Sequence, residues 1–170
     1  MPVKPVAVNL PYPSTDNLLP DPAAAKIIAP AYASAHSELA TILQYTYHTF
    51  RFEDERQDKN KELLEGISVC EMRHLKILGN TLLKLGTDPK FVANPPAQTN
   101  FFNTSQISYS KTPIKMLLDD IAGEMGAIKG YESMLRQLKN EAVAAVIQRI
   151  LLDEYLHLDR LRAAFSELSP

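Results

Sequence analysis

The sequence predicts an all-α protein, a four-helix bundle built from two helical hairpins joined by a long crossover. Three observations lead there. Apolar residues recur at steps of three and four in four separate stretches. Proline-rich or glycine-containing segments punctuate those stretches. The two halves also repeat one pattern: Glu38 is followed by Glu71 and His74, and Glu124 by Glu154 and His157.

Of the 12 prolines, seven lie in residues 1–30. Proline lacks the amide donor and disfavours helix in the residue before it, so this segment is expected to be an extended arm. Its Leu10, Tyr12, Leu18 and Leu19 exceed the apolar content a linker needs. Two readings stay open for it, a disordered tail or an arm packed along its own bundle or a partner subunit. The bundle is expected over residues 31–168. A first helix, from Pro30 to Arg51, follows from the spacing of Ala35, Glu38, Ile42 and Tyr45, and the charged run Glu53–Lys61 supplies a turn. A second, over about residues 55–85, places Leu64, Ile67, Glu71, His74, Leu78 and Leu82 on one face. Leu85-Gly86 with Asp88-Pro89 beyond it is a stop signal.

Residues 87–112 contain Pro89, Pro95, Pro96 and many hydroxyl side chains, without helical period. A connection of that length in a compact domain needs a reason, and a crossover spanning the bundle supplies one. Pro113 then opens a third helix at a position where a missing amide is harmless. Its stripe is Leu117, Ile121, Glu124, Ile128, Tyr131 and Leu135; after Lys139-Asn140 the fourth shows Ile147, Leu151, Glu154, His157, Leu158 and Leu161.

At 170 residues the chain is long enough for one domain with a proper core. A net charge of −2 gives no electrostatic case for nucleic acid or an anionic membrane as partner. Cys70 is the single cysteine, which excludes an internal disulfide and a CxxC metal site and fits a reducing compartment. There is no apolar targeting segment or membrane-length apolar run. The expected location is therefore the cytoplasm.

Glu38, Glu71, Glu124 and Glu154 all fall in phase with the apolar stripes. A carboxylate turned inward without a partner is costly, and four at equivalent points need a shared one. Divalent metal is the economical candidate. Residues three apart share a helix face, so Glu71 with His74, and Glu154 with His157, can each reach one ion. Glu38 and Glu124 would complete each shell or bridge the pair. Carboxylate oxygen with one imidazole per ion suits iron or manganese, with zinc as a possible substitute. The halves match beyond these positions: residues 38–45 and 124–131 share Glu, Ile and Tyr at equal offsets, and residues 71–78 and 154–161 share Glu, His and two leucines.

On these residues the chain resembles the ferritin-like di-metal carboxylate superfamily, which includes rubrerythrins, manganese catalases, bacterioferritins and ferritins. The resemblance covers about residues 30–167. It implies a buried pair of ions held by Glu38, Glu71, His74, Glu124, Glu154 and His157. The absence of a CxxC pair removes the rubredoxin-type site of full-length rubrerythrins. The little chain beyond the fourth helix speaks against a storage cage and for a smaller oligomer, a homodimer being simplest.

Around that set, Asp153 resembles the family's acidic residue and could orient His74 or face solvent. Cys70 stands at its matching position and reads as a small buried hydrophobe or as a source of inequivalence between the ions. Tyr45 and Tyr131, two turns beyond their Glu residues, are candidates for catalytic electron transfer or for hydrogen bonds to the ligand carboxylates. Gly123, Gly126 and Gly130 suit close helix packing or room for substrate. His36 and His48 read as ordinary surface or packing histidines. Met72 sits where bacterioferritins ligate haem but at a spacing typical of packing.

The function expected is that of a di-iron or di-manganese oxidoreductase acting on hydrogen peroxide or dioxygen. Catalase-like action needs no reductant, whereas rubrerythrin-like peroxidase action would need an electron-donor protein. The alternative is iron oxidation and storage, or metal buffering.

Overall fold

The computed structural model describes residues 3–92 and 100–168; Pro95 and Pro96 of the crossover lie outside them. Five α-helices occur among the described residues: α1 (Pro22–Ala33), α2 (Glu38–Asp54), α3 (Asp58–Lys84), α4 (Pro113–Gln137) and α5 (Glu141–Leu168). The hairpins α2–α3 and α4–α5 pack against each other as a four-helix bundle, and α1 lies against α2, α3 and α4. No described helix is long and apolar enough to cross a membrane.

The first helix differs from expectation. Residues 22–33 are helical rather than extended, because Pro22 stands at the first turn and the Asp21 carboxylate caps it by accepting from the Ala24 amide at 3.0 Å. The expected helix from Pro30 is interrupted at residues 34–37. There Ser37 donates to the Ser34 carbonyl (2.7 Å) and accepts from the Ala40 amide (3.3 Å), starting a new helix at Glu38. Short hydroxyl side chains compete with helical backbone bonding in this way. The break puts Glu38 in the first turn of α2.

After α3 the chain turns through Gly86, whose φ of +87° lies in the left-handed region that a glycine adopts freely. The described parts of the crossover are pinned by pairing of Val92 with Phe101, by a 3-10 turn at Thr104–Gln106, and by the Gln44 carbonyl oxygen accepting from the Ser108 amide at 2.8 Å.

Two apolar clusters fill the bundle. One contains Phe52, Leu64, Ile67, Met116, Leu117 and Leu161; the other contains Ile28, Leu78, Leu82, Ile128, Ile147 and Ile150. On α3 and α4 the charged residues fall between members of the two clusters, so the carboxylates and histidines form a layer inside an apolar frame.

Candidate metal centre

The structure brings all six predicted residues together. Each is at most 4% exposed, and α2, α3, α4 and α5 each contribute at least one. Their ligand atoms fall into two groups, Glu38–Glu71–His74–Glu154 and Glu71–Glu124–Glu154–His157, with the atoms of each group within 4.8 Å of one another. Glu71 and Glu154 belong to both. Glu38 and Glu124 each belong to one.

The Glu71 carboxylate lies between the histidines, with Oε2 at 2.9 Å from His74 Nδ1 and Oε1 at 2.8 Å from His157 Nδ1. His74 Nδ1 also lies 3.1 Å from Glu154 and 3.5 Å from Glu38. Both imidazoles thus turn Nδ1 inward. Four buried atoms there, Glu71 Oε1, Glu124 Oε2, Glu154 Oε1 and His157 Nδ1, find no hydrogen-bond partner. Unpaired buried acceptors are rare in folded proteins. Carboxylate oxygens and imidazole nitrogens converging at these distances are a donor set that divalent cations accept, so these residues fit such ions.

The buried carboxylates and imidazoles shift one another's proton affinity. Burial, reinforced by the Glu71 and Glu154 carboxylates, holds Glu38 well above the usual carboxylate range. Burial and the same two neighbours as Glu154 and Glu71 do likewise for Glu124. At Glu71 burial also pushes upward, but His157, Glu38 and His74 outweigh it and hold the group well below that range. For His74, burial lowers the value and the Glu38 and Glu71 carboxylates more than restore it; for His157, Glu71 is the first such partner. Cations bound by these groups would compete with protons for them.

The tyrosines cross between the halves. Tyr45 donates to Glu124 and Tyr131 to Glu38, so each phenol holds the carboxylate of the opposite repeat. Burial, then the carboxylates, raise both phenols well above their ordinary range, which keeps them protonated as donors. Asp153 Oδ2 lies 3.0 Å from His74 Nε2, the orienting position expected of it. Cys70, at the matching position of the other half, meets both histidines. Its Sγ lies 3.4 Å from His74 Nε2 and 3.8 Å from Tyr12 Oη, while His157 Nε2 donates to the Val6 carbonyl at 2.7 Å.

Other residues here were not foreseen. Arg149, buried one turn before Asp153, places Nη1 2.7 Å from its Oδ2. Arg149 stands off the apolar stripe of Ile147, Leu151 and Leu158, so helical period did not single it out. His48 is fully buried against Asp120, with Nδ1 2.8 Å from Oδ1, and Gln44 donates to the same oxygen at 2.8 Å. It is a packing histidine, but a charged-group partner fixes it. Met72 is 48% exposed and packs in neither cluster.

The three glycines of α4 do not mark close packing. A Cβ at Gly123, Gly126 or Gly130 would meet no atom within 4 Å. They border two hollows between α2 and α4. One, of about 500 Å³, is lined by Tyr45, Gln44, Ser108 and Gly123; the other, of about 220 Å³, is lined by Glu38, Tyr131, Glu154, Gly126 and Gly130. His36, Thr41 and Ala127 border both. The smaller hollow leads to the ligand carboxylates and has room for several molecules the size of water, which takes about 30 Å³ in the liquid. Gly126→Leu should fill it and gain about 2–4 °C in Tm, because glycine disfavours helix by about 1 kcal/mol. A lower Tm would show that the side chain finds no room there.

A bundle of four helices, with a carboxylate from each and two Glu-x-x-His pairs facing inward, defines a ferritin-like di-metal carboxylate protein. The family of manganese containing catalases matches residues 10–125, which is more than half of the chain. The chain belongs to that family. The match spans Glu38, Glu71, His74 and Glu124; Glu154 and His157 lie beyond it and are added by the fold. The manganese catalase KatB from Anabaena has a similar structure, with a TM-score of 0.82 at 21% identity over 95% of this chain and 79% of that one. Bacterioferritin from Rhodobacter capsulatus aligns with a TM-score of 0.69 at 22% identity over 88% of each chain. No protein of curated function matches by sequence.

Proposed function

We propose that this protein is a di-manganese enzyme that disproportionates hydrogen peroxide. Glu71 and Glu154 would be shared by both ions, Glu38 and His74 would serve one, and Glu124 and His157 the other. Two bound redox-active ions would supply the two-electron capacity that disproportionation requires. One peroxide is then reduced to two waters and a second is oxidised to dioxygen, so electrons and protons balance without a reductant.

The observation that carries this reading is the pair of overlapping four-residue groups with unpaired acceptors, in a chain of the manganese containing catalase family. The residues themselves divide the work. The apolar frame excludes bulk water from the layer. The phenols of Tyr45 and Tyr131 restrain the two unshared carboxylates, and Tyr131 borders the smaller hollow where it can hydrogen-bond an incoming peroxide oxygen. Glu154 borders the same hollow, so a peroxide entering it would meet the layer beside a shared carboxylate.

The test is metal content with peroxide consumption on one sample. About two manganese per chain, with one dioxygen evolved for every two peroxides and no added reductant, is the expected result. Turnover only with a reductant would replace the catalase reading by a peroxidase one. Iron retained far beyond two per chain, without peroxide turnover, would replace it by storage.

A further inference from the structure

Both histidines of the metal layer pass their outer nitrogens to partners that depend on the N-terminal segment. His157 Nε2 donates to the carbonyl of Val6 at 2.7 Å. His74 Nε2 faces Asp153 Oδ2 at 3.0 Å, and Asp153 is in turn held by the Val8 amide on Oδ1 (2.7 Å) and the Tyr12 hydroxyl on Oδ2 (2.5 Å). Arg149 ties the same stretch down by donating to the carbonyls of Val8 (2.7 Å) and Leu10 (2.9 Å), with its guanidinium 4.2 Å from the Tyr12 ring centroid. Residues 6–8, moreover, precede the part of the chain that matches the family.

We propose that residues 6–12 are a positioning strap for the metal centre, fixing the ring orientation and tautomer of both histidines from the α3–α5 side. An Nε2–H bonded outward to a carbonyl or carboxylate leaves the Nδ1 lone pair free to bind a cation, and such outer partners commonly govern affinity. The strap leaves the opposite, α2–α4 side open, where the two hollows lie. This inference rests on the metal-binding reading above but not on catalase activity.

Gly66 supplies the test. Val6 donates its amide to the Gly66 carbonyl at 2.9 Å, and a Cβ at Gly66 would lie 2.9 Å from Val6 Cγ2 and 3.0 Å from the Lys4 carbonyl oxygen. Because Gly66 lies inside α3, Gly66→Ala favours the helix itself while pushing the strap away. The expected result, measured on the full chain by chelator competition with Mn(II), is binding weaker by about 10–100-fold, with the helical circular dichroism of the metal-free protein unchanged. Tyr12→Phe, which removes only the hydroxyl on Asp153, should weaken binding in the same direction.

Wild-type affinity in Gly66→Ala overturns the proposal. If that variant fails to fold, wild-type affinity in Tyr12→Phe does so. Wild-type protein that holds manganese but does not consume peroxide would sink the catalase reading and leave the strap standing. A wild-type chain that takes up no Mn(II) sinks both.

Discussion

Glu71→Gln should empty the metal layer. Glu71 is the carboxylate between the two histidines and a member of both ligand groups. Glutamine has nearly the same shape, so the bundle survives, but one ligand oxygen becomes an amide nitrogen and the charge is lost. Loss of a partner one shell further out typically costs about 10–100-fold in affinity, so the loss here should exceed about 100-fold. The measurement is metal per chain after dialysis, with peroxide consumption alongside, and both should fall to background. Met72→Gln, at the exposed neighbouring position, is the control and should change neither. Two ions retained by Glu71→Gln would contradict the assignment of a shared carboxylate.

Asp153→Ala should give the largest loss of fold stability. Asp153 is fully buried and gathers His74, Tyr12, Arg149 and the Val8 amide around one carboxylate. Burial by itself would raise its pKa, but hydrogen bonds from His74, Tyr12 and Arg149 dominate and hold it far below the usual range, so it is charged at neutral pH. Removing it leaves the Arg149 guanidinium buried without its counterion, a change that typically costs about 3–5 kcal/mol. For a chain of this size that corresponds to a Tm lower by about 6–20 °C. The comparison belongs on metal-free protein, since bound metal adds stability of its own. A Tm within about 2 °C of wild type would mean that Arg149 is stabilised by the strap carbonyls alone.

The layer of four carboxylates and two histidines was legible because helical period and ligand spacing are both local properties of the chain. Residues three and four apart meet on a helix wherever that helix is placed, so Glu71 with His74, and Glu154 with His157, could be paired directly. The internal repeat then related the two halves. For the same reason α3, α4 and α5 fell close to their expected spans, within a few residues at each end.

What depended on contacts between distant segments could not be read in this way. The break at Ser34–Ser37 was hidden because Ala35 carries the helical period of Glu38, Ile42 and Tyr45 straight through it. The glycines of α4 were equally compatible with close packing and with a hollow, and only the distance between α2 and α4 decides between them. Cys70 and Asp153 occupy equivalent places in the repeat, yet His157 takes a backbone carbonyl from Val6, 151 residues away.

The sequence by itself determined the helix faces and the chemistry concentrated on them, since both follow from the identity and spacing of neighbouring residues. The tertiary structure alone decided which carboxylates lie in both ligand groups, where the hollows open, and that the N-terminal segment meets His157 and Asp153. Those outcomes rest on bonds to backbone groups and on empty space, and neither is recorded in side-chain identity.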